Sequence, residues 1–167
     1  MQLTPAGAHA AQLGLPQRMA IANQLMLLVG PPPITNYITN GICYDTVAFV
    51  RYMRGAAITP VQLVTITGQN WAPLFNAGGG LWVGGPIAAG TAVLFRRPPA
   101  LGGAPFHVGL SLGGTTVRAV NGNTLGAGWN PIGDCNIGAL VAHGGMPNTY
   151  ICGPGTGDLC QVWLSAL

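Results

Sequence analysis

Apolar residues recur at helical spacing through residues 16–29, "PQRMAIANQLMLLV", with Pro16 near the start and Gly30 beyond the end, which predicts a first helix. The connector "GPPPITNY" follows, extended wherever a residue precedes proline. Residues 41–54 predict a second helix. Val47, Phe49 and Val50 supply an apolar face, and Thr39 or Asn40 can cap the start. Asp45 in the early turns and Arg51 and Arg54 near the end suit the helix dipole. A third helical piece is expected over about 59–67, weakened by its β-branched residues. After Trp71 the pattern shortens to β-rich runs separated by Gly, Pro and Asn: "LWVGG", "TAVLFRR", "HVGLSLGG", "TTVRAVNG", "IGALVAHGG", "NTYICG" and "QVWLSAL". Gly113-Gly114 reads as the two-residue turn of a hairpin. Helices first and an antiparallel sheet second predict an α+β fold. With no repeat and no long linker, the expectation is one domain over 1–167, residues 1–35 forming an N-terminal helical extension.

Composition narrows the function classes. Of 167 residues only 5% are charged, against about 25% in an average domain. There are six Arg and three Asp, with no Lys and no Glu. A net charge of +3, dispersed along the chain, does not suit a nucleic-acid surface. The 49% hydrophobic content argues against disorder. No apolar run reaches the roughly 20 residues of a membrane-spanning helix, since Met19 to Gly30 is interrupted by Asn23 and Gln24. A signal peptide is not expected, because no basic stretch precedes an apolar one at the N-terminus. The lack of lysine fits a GC-rich genome. It equally fits an effector that offers no side-chain site for ubiquitin in a eukaryotic cytosol.

The candidate chemistry lies in cysteine, histidine and asparagine. Cys43, Cys135, Cys152 and Cys160 form no C-x-x-C and have no His at metal-ligand spacing, so neither a zinc site nor a cofactor is expected. Cys152 and Cys160 flank "GPGTGDL", a spacing that permits a disulfide. Cys43, in "NGICYDTVAF", reads either as a packing residue or as a nucleophile whose thiolate is favoured at a helix start. Of the three histidines, His9 lies in an Ala/Gly-rich terminus and His143 at a strand end, whereas His107 opens the strand "HVGLSLGG". A general base needs an orienting acceptor, and Asn121 on the following strand, or Asn123 beside it, can provide one, although "NGN" reads equally as an ordinary turn. Tyr37 and Asn40, upstream of Cys43, are candidates for an oxyanion hole or for packing of the connector. Asp45 reads as a helix-terminus charge. Arg96-Arg97 reads as a solvated strand end or an anionic subsite, and Trp71, Trp82 and Trp129 as core or cleft-rim residues.

Three segments in order, "NGICYDTVAFVRYM", "AAGTAVLFRR" and "HVGLSLGG", resemble the papain-like cysteine peptidases of the NlpC type over roughly residues 36–124. The His-Val-Gly strand is the most specific part. The chain departs from the family at Ile42 and Tyr44, where Asp and Ser are usual, and at Gly90-Thr91 in place of Gly-Asp. The family's third polar residue falls on Ala119, and a two-residue shift that preserves strand parity brings in Asn121. The resemblance implies a papain-like fold and a cysteine-dependent amide hydrolase of protease or deamidase type, with Cys43, His107 and Asn121 as its triad. Two substrate classes follow: a host protein attacked by a secreted bacterial toxin or effector delivered into a target cell, and the peptide stem of peptidoglycan. A host target or a cognate immunity protein is the corresponding partner. A binding domain that kept the fold without catalysis is the third expectation.

Overall fold

The computed structural model describes residues 13–26, 43–120, 135–152 and 158–167. Helix α1 spans Leu15–Met26, α2 Cys43–Met53, α3 Pro60–Thr65 and α4 Ala72–Asn76. A 3-10 turn, Gly68–Trp71, joins α3 to α4. The third helical segment forms despite its β-branched residues because its start is doubly capped. Thr59 Oγ1 accepts from Gln62 N at 3.2 Å, and Gln62 Oε1 accepts from Thr59 N at 2.8 Å. Pro60 occupies the first turn, where a missing N–H costs nothing.

The strands are β1 Gly80–Leu81, β2 Ala92–Arg96, β3 Pro105–Gly113, β4 Thr116–Arg118, β5 Cys135–Asn136, β6 Val141–Ala142, β7 Tyr150–Ile151 and β8 Leu159–Leu164. They form one curled antiparallel sheet in the order β5-β4-β3-β2-β8-β7-β6, with β1 also paired to β8. The fold is therefore α+β, as the pattern predicts. Some strands are shorter than expected: residues 137–139 make a 3-10 turn, leaving only Val141–Ala142 extended. The hairpin turn is displaced by one residue. Gly113 pairs with Thr116, and both Gly113 (φ 108°) and Gly114 (φ 61°) hold backbone conformations that favour glycine.

Strand alternation divides the core in two. Along β2, Ala92 and Leu94 join the cluster that contains α2, while Val93 and Phe95 join the cluster on the other face. Val108 and Leu110 of β3 meet Val47, Phe49 and Val50 of α2 on the first face. The apolar-face expectation for α2 is too narrow, because every residue from Tyr44 to Val50 is buried. The first cluster is closed from outside by Trp71 and Phe75, whose rings lie 6.2 Å apart. Helix α1 is tied to the far end of α2 by Arg18, which donates to Tyr52 O at 3.2 Å and lies 4.5 Å over the Tyr52 ring. Among the described residues no helix is long and apolar enough to cross a membrane.

Cys152 and Cys160 are joined as a disulfide within the second cluster, their Cα atoms 5.9 Å apart. The bond fastens the end of β7 to β8. Closing a loop this short contributes about 2.5 kcal/mol on chain-entropy grounds. Reduction is expected to lower the melting temperature by about 5–10 °C, measured by thermal unfolding with and without a phosphine. The doubly substituted Cys152→Ser/Cys160→Ser protein melts at the lower temperature and ignores the reductant.

Candidate functional site

Cys43 is the first residue of α2 and Asp45 lies in that helix's first turn. The helix start abuts β3, where the backbone N–H of Val108 lies close enough to the Cys43 sulfur to lower its pKa, as the N–H groups of Tyr44 and Cys43 also do. Val108 directly follows His107 in β3, so it is the start of that strand which meets the start of α2; Cys43 and Val108 belong to the first cluster, whereas the Phe95 that the His107 ring touches belongs to the second. Among the described residues no hydrogen bond joins the thiol to the imidazole. The His107 ring stacks on Phe95, its cross-strand partner in β2, with centroids 5.7 Å apart and planes 30° apart. Its Nε2 is buried and has no hydrogen-bond partner among the described residues.

The glycine of the His-Val-Gly segment has a steric cause. A Cβ on Gly109 would lie 2.5 Å from Val117 Cγ1 and 3.0 Å from Arg118 O, so only glycine lets β4 pack this closely on β3. Ala119, where the family's third polar residue falls, lies beside Gly109 and is wholly buried. Asn121, Asn123, Tyr37, Asn40, Thr39, His9 and Trp129 lie outside the described residues.

Desolvation outweighs the helix start at the thiol. Burial pushes the Cys43 pKa up, and the N–H groups of Val108, Tyr44 and Cys43 recover only part of that. The expected thiolate is therefore not the resting form, since a helix-end charge helps an exposed sulfur more than a buried one. Burial likewise lowers the His107 pKa to about 4, so the imidazole is neutral at pH 7. Both groups therefore rest uncharged at pH 7, and neither shift comes from the other.

Asp45 has a role that its reading as a helix-terminus charge missed. Its carboxylate is buried, accepts from Gly68 N at 2.7 Å and from the Trp71 indole, and has a pKa raised by burial. The available signal was its position: a lone acid among the apolar residues of "CYDTVAFV" must find buried donors or be excluded from the core. Trp71 and Trp82 are core residues, as one of their two expectations had it. Arg96 donates to Gly103 O and lies 4.5 Å over the Trp163 ring, while Arg97 forms an exposed ion pair with Asp158 at 2.8 Å. His143 lies beyond β6, accepting from Gly145 N at Nδ1. Among the described residues no group of three His, Cys, Asp or Glu could hold a metal ion. No protein-family model matches the chain, and no curated protein matches it either.

The buried imidazole makes stability depend on pH. His107 has an ordinary pKa of 6.5 and a folded value of about 4, so the unfolded state binds more protons between those limits. Its contribution is complete above pH 6.5 and is lost as pH falls towards 4, amounting to about 3 kcal/mol. Denaturant unfolding at pH 7 and pH 4 is expected to show a drop in the wild type that exceeds the drop in His107→Gln by that amount. Equal drops would contradict the buried neutral assignment.

Proposed function

We propose that this chain is a papain-like cysteine hydrolase that cleaves an amide bond, with Cys43 as nucleophile and His107 as general base and acid. One observation carries the reading: the sulfur at the first residue of α2 sits against the N–H of Val108, adjacent in sequence to a buried neutral imidazole. As the sulfur attacks the carbonyl carbon, its proton passes to the imidazole while the S–C bond forms. The imidazolium then protonates the leaving amine, and a thioester remains. Neutral His107 next takes a proton from water, hydroxide adds to the thioester carbonyl, and the thiol is released on reprotonation. The raised thiol pKa and the lowered imidazole pKa make proton transfer ahead of attack unfavourable, so the two are concerted. Asn121 is the proposed partner that orients the imidazole, and Tyr37 or Asn40 the proposed oxyanion donor beside the Cys43 N–H.

A host protein, as target of a secreted toxin or effector, is the first substrate class. The lysine-free composition supports it, and the Cys152–Cys160 disulfide supports passage through an oxidising compartment. The peptide stem of peptidoglycan is the second, supported by the likeness of "HVGLSLGG" to the wall-hydrolase strand.

The nucleophile assignment is tested by iodoacetamide at neutral pH with mass-spectrometric mapping. Cys43 is expected to label well ahead of Cys135, which is buried with its pKa pushed up to about 11. His107→Gln is expected to slow Cys43 at least tenfold, within the range for loss of a general base. Equal labelling of the two thiols, or a Cys43 rate indifferent to His107, would sink the assignment. Digestion of muropeptides and of a eukaryotic extract, each against Cys43→Ala, then separates the substrate classes by which products appear.

A further inference from the structure

The contact between the Cys43 sulfur and Val108 joins two elements, α2 and β3, that are far apart in sequence. A third element touches both. The 3-10 turn Gly68–Trp71 is fastened to α2 through Asp45, which accepts from Gly68 N at 2.7 Å and from the Trp71 indole. One residue on, the Gln69 side chain reaches the other way, its Nε2 donating to Pro105 O at the start of β3 at 3.0 Å. Pro105 is two residues before His107 and three before Val108. Trp71 is fully buried and Asp45 nearly so, whereas Gln69 is exposed. An exposed glutamine has water to bond with, so fixing its side chain on Pro105 O has a geometric consequence rather than a solvation one.

We propose that the Gly68–Trp71 turn is a strap that holds β3 at Val108 against the sulfur of Cys43, with Asp45 and Gln69 as its positioning residues. The inference rests on Cys43 being the working thiol of the proposed function. It adds to that reading a device that sets the thiol's environment without touching the substrate. Asp45 anchors the strap in the core and Gln69 clips it to the strand. When the clip opens, Val108 N–H moves off the sulfur and the thiolate loses a donor. The titratable groups that act on the thiol are Tyr44 and Asp45 on its own helix, while the His107 ring on β3 packs against Phe95. Arg18 of α1 lies at the opposite end of α2, over Tyr52.

The test is the pH profile of iodoacetamide alkylation at Cys43 in the full chain, for wild type, Gln69→Met, His107→Gln and the double variant. Gln69→Met removes the donor from an exposed side chain of similar length. It is expected to melt within about 2 °C of wild type, slow alkylation at pH 7.5 about three- to tenfold, and move the profile to higher pH. That rate change is the size expected for one hydrogen bond. Asp45→Asn, which keeps an acceptor for Gly68 N but offers the Trp71 indole a donor, is the second variant and is expected to shift the profile the same way. An unshifted profile in both variants overturns the strap. If His107→Gln slows alkylation while Gln69→Met and Asp45→Asn do not, the strap falls and the catalytic pair stands. If the strap variants shift the profile and His107→Gln changes nothing, the strap stands and the catalytic pair falls. If none of the variants changes the profile, both fall.

Discussion

Burial of helix α2 on all sides is the constraint on which the rest of the structure depends. With Tyr44 to Val50 enclosed by β2, β3, Trp71 and Phe75, the helix has no freedom to slide or roll. Its first residue is therefore held at the junction with β3, and its polar groups are fixed where they stand, the Tyr44 hydroxyl buried without a hydrogen-bond partner among the described residues. Asp45 and Thr46 are the polar residues buried in its first turn, and Asp45 recruits a whole turn of chain, Gly68–Trp71, to supply its donors. Replacing that carboxylate by a methyl group would leave an amide and an indole N–H buried without acceptors. Each such loss costs about 1–3 kcal/mol.

The same enclosure decides the electrostatics of the junction. A helix start lowers the pKa of a nearby thiol, and dehydration raises it. At Cys43 dehydration wins, although nearby backbone N–H groups, that of Val108 foremost, act to lower the pKa. At His107 dehydration acts alone, and the imidazole stays neutral from the physiological range down to about pH 4. The two shifts point in the same chemical direction. Both groups rest uncharged, and any nucleophile forms only as the proton moves. Nothing of this kind operates at Cys152 and Cys160, whose sulfurs are spent in a covalent bond that fixes the sheet rather than in chemistry.

Much of this was legible in the residues. The α-then-β order, a helix within residues 41–54 and the hairpin after "HVGLSLGG" all follow from local periodicity and turn chemistry. The Cys43 segment and the His107 strand were expected to meet, and the fold brings them together. The sign of the thiol shift was not legible, because it is set by how completely α2 is covered, and that depends on Trp71, Phe75 and the sheet together. The reach of Gln69 to Pro105 O was hidden for a similar reason. A contact between residues 36 positions apart leaves no periodic trace. The one-residue displacement of the hairpin turn reflects the irregularity between Ser111 and Gly113, which two adjacent glycines permit but do not announce.

The proposed pairing of a neutral Cys43 with a neutral His107 is the centre of the functional reading, and nuclear magnetic resonance titration of the His107 ring addresses it most directly. The predicted result is an imidazole pKa of about 4 in the wild type, shifted once Cys43 is carbamidomethylated. A value near the ordinary 6.5, unmoved by that modification, would contradict both the burial of the ring and its pairing with the thiol.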